Sequence, residues 1–387
     1  MSSRSGDLHE RAGRVLPGGN TRSTVFVPPH PPYAVSGRGC IVRDADGNEV
    51  YDCNNNYTSL LHGHAHPDII RAASAALTSG TAFGLPTEAE IELAEILSER
   101  TGVPLWRFCN SGTEAVTMAI RAARAATGRD RIIRFHGSYH GTGNEVVDPT
   151  TAGVPRSVAS DVLVLPQGDA TALRNAIVEH RDDVAAILID LMPNRAGLRP
   201  VTTEFASLVR HLATDHEIVL IVDEVITFRL GIGGLRSRYG IDADLTTVGK
   251  IIGGGFPVGA VGGTPEVLRS FNPTANGRVS WGGTFSANPV SMRAGQTALR
   301  LFAHDEMTRL NKLGDLFREE LASAGLRVNG AGSLSRLILD DYQAGWWKLY
   351  EAGVLVGTNG LLALSTPMQE EDVATIANRV IGAMSSA

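Results

Sequence analysis

The sequence predicts an α/β fold built on a mostly parallel sheet with helices on both faces. Two patterns predict it. Apolar runs too short to be helices recur through the middle of the chain, at 131–135 (RIIRF), 161–165 (DVLVL), 185–190 (AAILID) and 218–223 (IVLIVD). Stretches with helical periodicity alternate with them, near 68–78, 88–101, 113–127 and 203–215. A strand that is apolar on both sides is one covered on both faces, and the alternating helices are its natural covers. In such sheets ligands sit at the C-terminal strand ends, so residues that close a strand are the first candidates for chemistry.

In chain order, Met1 to Arg14 is polar and of mixed charge, without the apolar segment of a secretory signal, and predicts a cytoplasmic protein. Residues 17–32, rich in Gly, Pro and Asn, predict an irregular arm that carries Arg22. Residues 39–52 predict two short strands joined at Asp46-Gly47, because glycine accepts the positive φ of the turn. After about residue 285 helical periodicity resumes through 291–302 and 307–325, followed by a few short strands, which predicts a separate C-terminal unit. The expected division is an arm and part of a small domain at 1–66, a large domain at 67–288, and the rest of the small domain at 289–387.

At 387 residues the chain exceeds what one hydrophobic core usually supports, which fits that division. No window is apolar enough for long enough to span a bilayer. A net charge of -6 without long like-charge blocks leaves no basic footprint for nucleic acid and no polybasic membrane anchor, so the expected partner is a small molecule. Cys40, Cys53 and Cys109 lack CxxC spacing, which argues against a disulfide framework or a thiolate zinc site and for reduced, buried thiols.

Four places supply what a phosphorylated aldehyde cofactor needs. Ser111-Gly112-Thr113 opens a strongly helical run, so free N–H groups and two hydroxyls converge at the positive end of a helix dipole. Taken alone this is also an ordinary helix cap. Asp223 closes an apolar strand, where a carboxylate can hold a protonated pyridine nitrogen; a solvated strand-end Asp is the plain reading. Lys250 follows a short apolar run and precedes a glycine-rich loop, and a lysine amine becomes an imine-forming nucleophile once burial lowers its pKa. That loop is neither a Walker A loop, since Ile251 follows the lysine, nor a dinucleotide fingerprint, since Pro257 interrupts it. Tyr139 and His140 follow the strand at 131–135 and can stack on an aromatic ring. His62, His64 and His66 alternate as metal ligands do on a strand, but Pro67 and the lack of a matching acidic or Cys set favour a structural turn, and no metal is expected.

In this order and spacing the blocks PGGNTR, DADGNEVYD, GHAHP, NSGTEAV, TGRDRIIRFHGSYHG, DEVITFR, DLTTVGKIIGGGFPVGAVGG and GGTFSANPVSMRAG resemble the class III (fold type I) aminotransferases dependent on pyridoxal 5′-phosphate (PLP). Within that family they resemble the branch of glutamate-1-semialdehyde aminomutase and the β-amino-acid aminotransferases. The resemblance implies a large domain with a seven-stranded, mostly parallel sheet and a smaller α+β domain drawn from both chain ends. It implies that Lys250 forms a Schiff base with PLP, that Asp223 pairs with the pyridine nitrogen, that Val225 and Tyr139 pack on the ring faces beside His140, and that Ser111, Gly112 and Thr113 bind the phosphate. Thr284 would reach the phosphate of a neighbouring subunit's cofactor, giving a homodimer with a shared active site. Arg22 would hold a substrate carboxylate, with a solvated surface arginine as the rival reading, and Tyr57 would line the substrate pocket.

The chain departs from the family pattern in three places. DLMPNRAG stands where a Glu-Pro-Val segment with a downstream Gly-Asn is usual, leaving Asn194 or Arg195 as the group near the cofactor's phenolic oxygen. Gly360 stands where the aminomutase has an acidic residue, and the chain is shorter across roughly 331–345. The activity so implied is transamination between an amino acid, a β-amino acid among the candidates, and a keto acceptor. The alternatives are an intramolecular amino shift, as in the aminomutase, and a non-catalytic or metal-dependent protein that only retains the fold.

Overall fold

The computed structural model describes residues 3–275, 277 and 279–385. The chain divides into a central unit, Arg71–Met307, and a second unit assembled from Met1–Ile70 and Thr308–Ala387. The expected α/β architecture is what forms.

The central unit holds a seven-stranded sheet: β1 (Leu105–Cys109), β2 (Arg131–Phe135), β3 (Val162–Leu165), β4 (Val184–Ile189), β5 (Val219–Asp223), β6 (Leu245–Gly249) and β7 (Gly259–Gly263), in the order β1-β7-β6-β5-β4-β2-β3. The pairings β6/β5, β5/β4, β4/β2 and β2/β3 are parallel, and β7 runs antiparallel to both neighbours. Every residue of β4, β5, β6 and β7 is buried, the state that a double-faced helical cover demands.

Helices α1 (Glu88–Thr101), α2 (Gly112–Thr127), α3 (Ala170–Glu179), α4 (Thr203–Asp215) and α5 (Pro289–Leu301) belong to this unit. α2 is the one the site depends on. Ser111 caps it by accepting the Glu114 N–H at 3.2 Å, and Gly128, at φ 71°, ends it in a left-handed cap. Its small and apolar face (Ala115, Ala119, Ala122 and Ala123 with Val116, Met118 and Ile120) is fully buried, so alanines bring the helix close to the sheet.

β1 and β7 escaped the sequence reading, β7 because it was read as part of a glycine-rich loop. The pattern GAVGG has too few side chains to register as a strand, yet each glycine answers to a neighbour. A methyl at Gly259 would collide with the Ser111 carbonyl and come within 2.9 Å of Cys109 Sγ, and one at Gly262 would lie 2.6 Å from the Trp106 ring. The missing side chains are what let β7 run beside β1 and the turn that opens α2.

In the second unit the hairpin expected around Asp46-Gly47 forms between Ile41–Asp44 and Glu49–Asp52, with Gly47 at φ 92°. Ala34–Arg38 and Val354–Leu355 complete a four-stranded sheet, the latter pairing in parallel with Glu49–Asp52. Val328–Ala331, Leu334–Leu337 and Leu361–Ala363 form an antiparallel three-stranded sheet. The expected irregular arm, residues 17–32, contains two short 3-10 turns, Pro17–Gly19 and Ser23–Val25.

Gly259→Ala forces a methyl against backbone that cannot yield, so it is expected to cost roughly 1–3 kcal/mol. A thermal midpoint indistinguishable from the wild type would show that β7 can move away from the Ser111 turn.

Candidate active site

Five parallel strands bring their C-terminal ends to one edge of the central sheet. β1 leads into Ser111 and Gly112, β2 into Ser138, Tyr139 and His140, β4 into Asp190, β5 ends on Asp223, and β6 runs into Lys250. Asp223 faces Thr247 across the β5/β6 ladder, three residues before the lysine.

Asp223 is buried at 6% exposure and saturated with donors. One carboxylate oxygen accepts from His140 Nδ1 at 2.7 Å; the other accepts the Val225 N–H at 3.0 Å and the Thr247 hydroxyl at 3.1 Å. Burial alone would push the His140 pKa down. The hydrogen bond to Asp223 and the negative charges of Asp190 and Asp223 more than offset that, and the net shift is upward. The imidazole therefore stays protonated to higher pH than a free histidine. Burial also raises the Asp190 carboxyl, against the opposing His140 charge and the Ser138 hydroxyl that donates to it.

Lys250 sits at φ 52°, in a region that a non-glycine residue enters only when its surroundings insist. By surface area the residue is half-buried, but its amine is desolvated, and that lowers its pKa to about 8 against the opposing pull of the Asp223 carboxylate. The other two lysines, Lys312 and Lys348, are exposed.

The opening of α2 closes on the same place. A methyl on Gly112 would lie 3.0 Å from Val225 Cγ1, and one on Gly249 would lie 3.6 Å from that same atom and 3.7 Å from the Gly112 nitrogen. Gly141, at φ 101°, has the Thr113 hydroxyl where a side chain would go, and Thr142 N–H donates to that hydroxyl at 3.3 Å. Ser111, Gly112, Thr113, His140, Asp223, Val225 and Lys250 thus form one cluster. A helix start with unpaired N–H groups is an anion site, a desolvated amine is a nucleophile toward carbonyls, and a buried carboxylate stabilises a cationic nitrogen.

Tyr139 is half-buried beside this cluster, and the Arg195 guanidinium lies over its ring at 4.1 Å from the centroid. Thr284 stands apart, lining a groove of about 250 Å³ with Phe83, Leu85 and Phe285. Arg22 and Tyr57 belong to the second unit, where they share the lining of a cavity of about 360 Å³ with Asn56, Trp346 and Tyr350. In that unit His64 Nε2 bonds Asp52 at 2.7 Å and His62 Nδ1 bonds the Thr366 hydroxyl at 2.9 Å, so these imidazoles serve the turn. Among the described residues no cluster of His, Cys, Asp or Glu is arranged to hold a metal. The sequence reading missed Thr247 and Asp190. Strand alternation could have pointed to Thr247, two residues from the strand's end; nothing local marks Asp190 beyond its place after a buried strand.

An amine with a pKa of about 8 is half neutral at that pH, and its neutral fraction falls about tenfold per pH unit below it. In the ligand-free protein, acetylation of Lys250 by trace acetic anhydride, a reagent with no titrating form of its own, followed by peptide mass spectrometry, should climb to about pH 8 and then level off. A rate still climbing tenfold per unit at pH 9.5 would mean that the amine is not desolvated.

Comparison with known proteins shows the family of the chain. The class III aminotransferase family profile matches residues 27–369. A glutamate-1-semialdehyde 2,1-aminomutase from Methanothermobacter thermautotrophicus is 39% identical over 335 residues, 84% of this chain and 78% of that relative. An omega-transaminase from Sphaerobacter thermophilus superposes with a TM-score of 0.96 at 43% identity, covering 99% of this chain and 98% of that one. A β-phenylalanine aminotransferase from Variovorax paradoxus gives a TM-score of 0.91 at 33% identity, covering 99% and 93%. A match over most of the chain, in sequence and in fold, makes this protein a member of the class III aminotransferase family.

Proposed function

We propose that the protein is an aminotransferase that moves an amino group from an amino acid bearing a distal carboxylate, a β-amino acid foremost, to a keto acceptor. Its cofactor is PLP. The observation that carries the reading is the pairing of a desolvated Lys250 amine with a buried, fully hydrogen-bonded Asp223 on adjacent strands. The cluster fits PLP group by group: an amine for the aldehyde, a carboxylate for the ring nitrogen, and a helix start with two hydroxyls for the phosphate. Ser111, Gly112 and Thr113 would hold that phosphate, with Val225 and Tyr139 against the ring. When bound, PLP supplies a protonated ring that draws electrons from the bond broken at the substrate carbon.

The protein's own residues do the rest. Lys250, half neutral near pH 8, is the base that takes the proton from the substrate carbon and returns it. Asp223 would meet the ring nitrogen with its carboxylate, which His140 holds in place at 2.7 Å. Arg22 offers a guanidinium fork to the substrate carboxylate, and Tyr57 shares its cavity.

Amino and keto acids are the partners, and a homodimer is the proposed assembly. Its support is an exposed apolar surface on the central unit: Leu85 is 77% exposed and Phe285 60%, Phe83 is exposed in the same groove, and Ile91 and Leu105 are exposed around a second groove lined by Trp106 and Trp281. Thr284 lies in one of these grooves, where a second copy would bring it to the partner's cofactor. The three buried free thiols suit a reducing compartment, and we place the enzyme in the cytoplasm.

The aminomutase is the second reading, favoured by the 39% identity to the archaeal enzyme. Gly360 weighs against it. At φ 77°, its missing Cβ would collide with the Leu337 carbonyl, so no acidic side chain fits where the mutase's is expected.

Borohydride treatment of the holoenzyme followed by peptide mapping should place the reduced adduct on Lys250 and not on Lys312 or Lys348; a label elsewhere overturns the assignment. Incubated with a panel of α-, β- and ω-amino acids, the enzyme should turn over only when a keto acceptor such as pyruvate or 2-oxoglutarate is present. Catalytic conversion of a single compound without acceptor would establish the mutase instead.

A further inference from the structure

The second unit contains a strained turn. Asn55, Asn56, Tyr57 and Thr58 occupy the left-handed region in succession, at φ 50°, 46°, 54° and 72°. L-residues visit this region singly and seldom in runs, and such strain persists only where surrounding contacts over-determine it. Here they do. Asp52, itself held by His64, accepts the N–H groups of Asn54 and Asn55 at 2.9 and 2.7 Å. Asn54 Oδ1 accepts the Tyr57 N–H at 2.6 Å, and Asn55 Nδ2 donates to the Ala363 carbonyl.

The turn directs two consecutive side chains at the arm. Asn56 Oδ1 accepts from Arg22 Nη1 at 2.8 Å, and the Tyr57 hydroxyl donates to the Thr24 carbonyl, which also receives the Thr358 hydroxyl at 3.1 Å. Arg22 is otherwise an exposed side chain on an irregular segment, and an arginine that must be fixed on binding loses rotamer freedom at that moment. Holding one nitrogen of the fork beforehand reduces that loss and leaves the remaining N–H groups for a carboxylate.

We infer that Asn56 is a positioning residue: by holding the Arg22 guanidinium it sets how tightly the enzyme takes carboxylate-bearing substrates over plain amines. The inference rests on the reading of Arg22 as the carboxylate-binding group. It assigns the strained turn to substrate selection, because a tether that only anchored the arm could use the Tyr57 and Thr358 contacts alone.

The test compares two donors that differ by one carboxylate, β-phenylalanine and 1-phenylethylamine, on the holoenzyme. Asn56→Gly is the informative variant, since glycine accepts φ 46° without strain and removes only the side chain. Its KM for β-phenylalanine should rise about tenfold or more, with kcat within about twofold and 1-phenylethylamine unaffected. Arg22→Ala should raise the same KM further, and the double variant should match Arg22→Ala alone, because Asn56 acts through Arg22. Asn56→Asp, which tolerates the same backbone, should also raise the KM by placing a competing carboxylate on the guanidinium. If Arg22→Ala raises the KM while Asn56→Gly and Asn56→Asp do not, or if the effects of Arg22→Ala and Asn56→Gly multiply in the double variant, the role of Asn56 is refuted and that of Arg22 stands. If Arg22→Ala changes nothing, or the wild type does not distinguish the two donors, the reading of Arg22 falls and the inference with it.

Discussion

A carboxylate at the end of a fully buried strand is costly to ionise unless donors replace the water it has lost, and Asp223 has three, from His140, Thr247 and the Val225 N–H. Much of the cluster follows from this arrangement. The charge on Asp223 attracts a cation, which keeps His140 protonated to higher pH despite complete burial and opposes the loss of charge on Lys250. Desolvation wins at the lysine, whereas at the histidine the hydrogen bond and the charges of Asp190 and Asp223 together outweigh it. One carboxylate thus holds one neighbour charged and leaves the other near its balance point.

Glycines provide the compactness that this electrostatics needs. Gly112 and Gly249 sit against Val225, Gly141 against Thr113 and Gly259 against the Ser111 carbonyl, so backbone approaches backbone where a side chain would hold the strands and helix apart. Short separations in a water-poor setting are what give fixed charges leverage on a pKa. The local loss of glycine's chain entropy is offset by the packing of α2 on the sheet.

What the sequence revealed follows the same physics. β4 and β5 were legible because burial on both faces writes a continuous apolar run, and Asp223 and Lys250 were legible because each breaks such a run at its end. β7 was not, because its burial is achieved with glycine, which carries no hydrophobic signal, and Thr247 was not, because a hydroxyl inside a strand reads as ordinary β propensity. The place of Arg195 on the face of Tyr139 depends on a loop whose course no local pattern fixes. The turn at Asn55–Thr58 was likewise hidden. Three asparagines in a row suggest a turn, but a sustained left-handed one is decided by Asp52 and Ala363, which are distant in sequence or specific in geometry.

The rarity of lysine in this chain bears on selectivity. Its basic side chains are overwhelmingly arginines, and a guanidinium remains charged and inert toward aldehydes at any physiological pH. Of the three lysines, two are exposed, and only Lys250 combines desolvation with a neighbouring carboxylate. Among the lysine side chains, an aldehyde near neutral pH therefore meets one with a substantial neutral fraction, and that amine stands at the strand ends beside a helix start suited to a phosphate. Burying Lys250 further would make it neutral but remove the means to recharge it, while exposing it would return it to the charged state of a surface lysine. A value of about 8 lies between these limits, where one group can both give up and accept a proton.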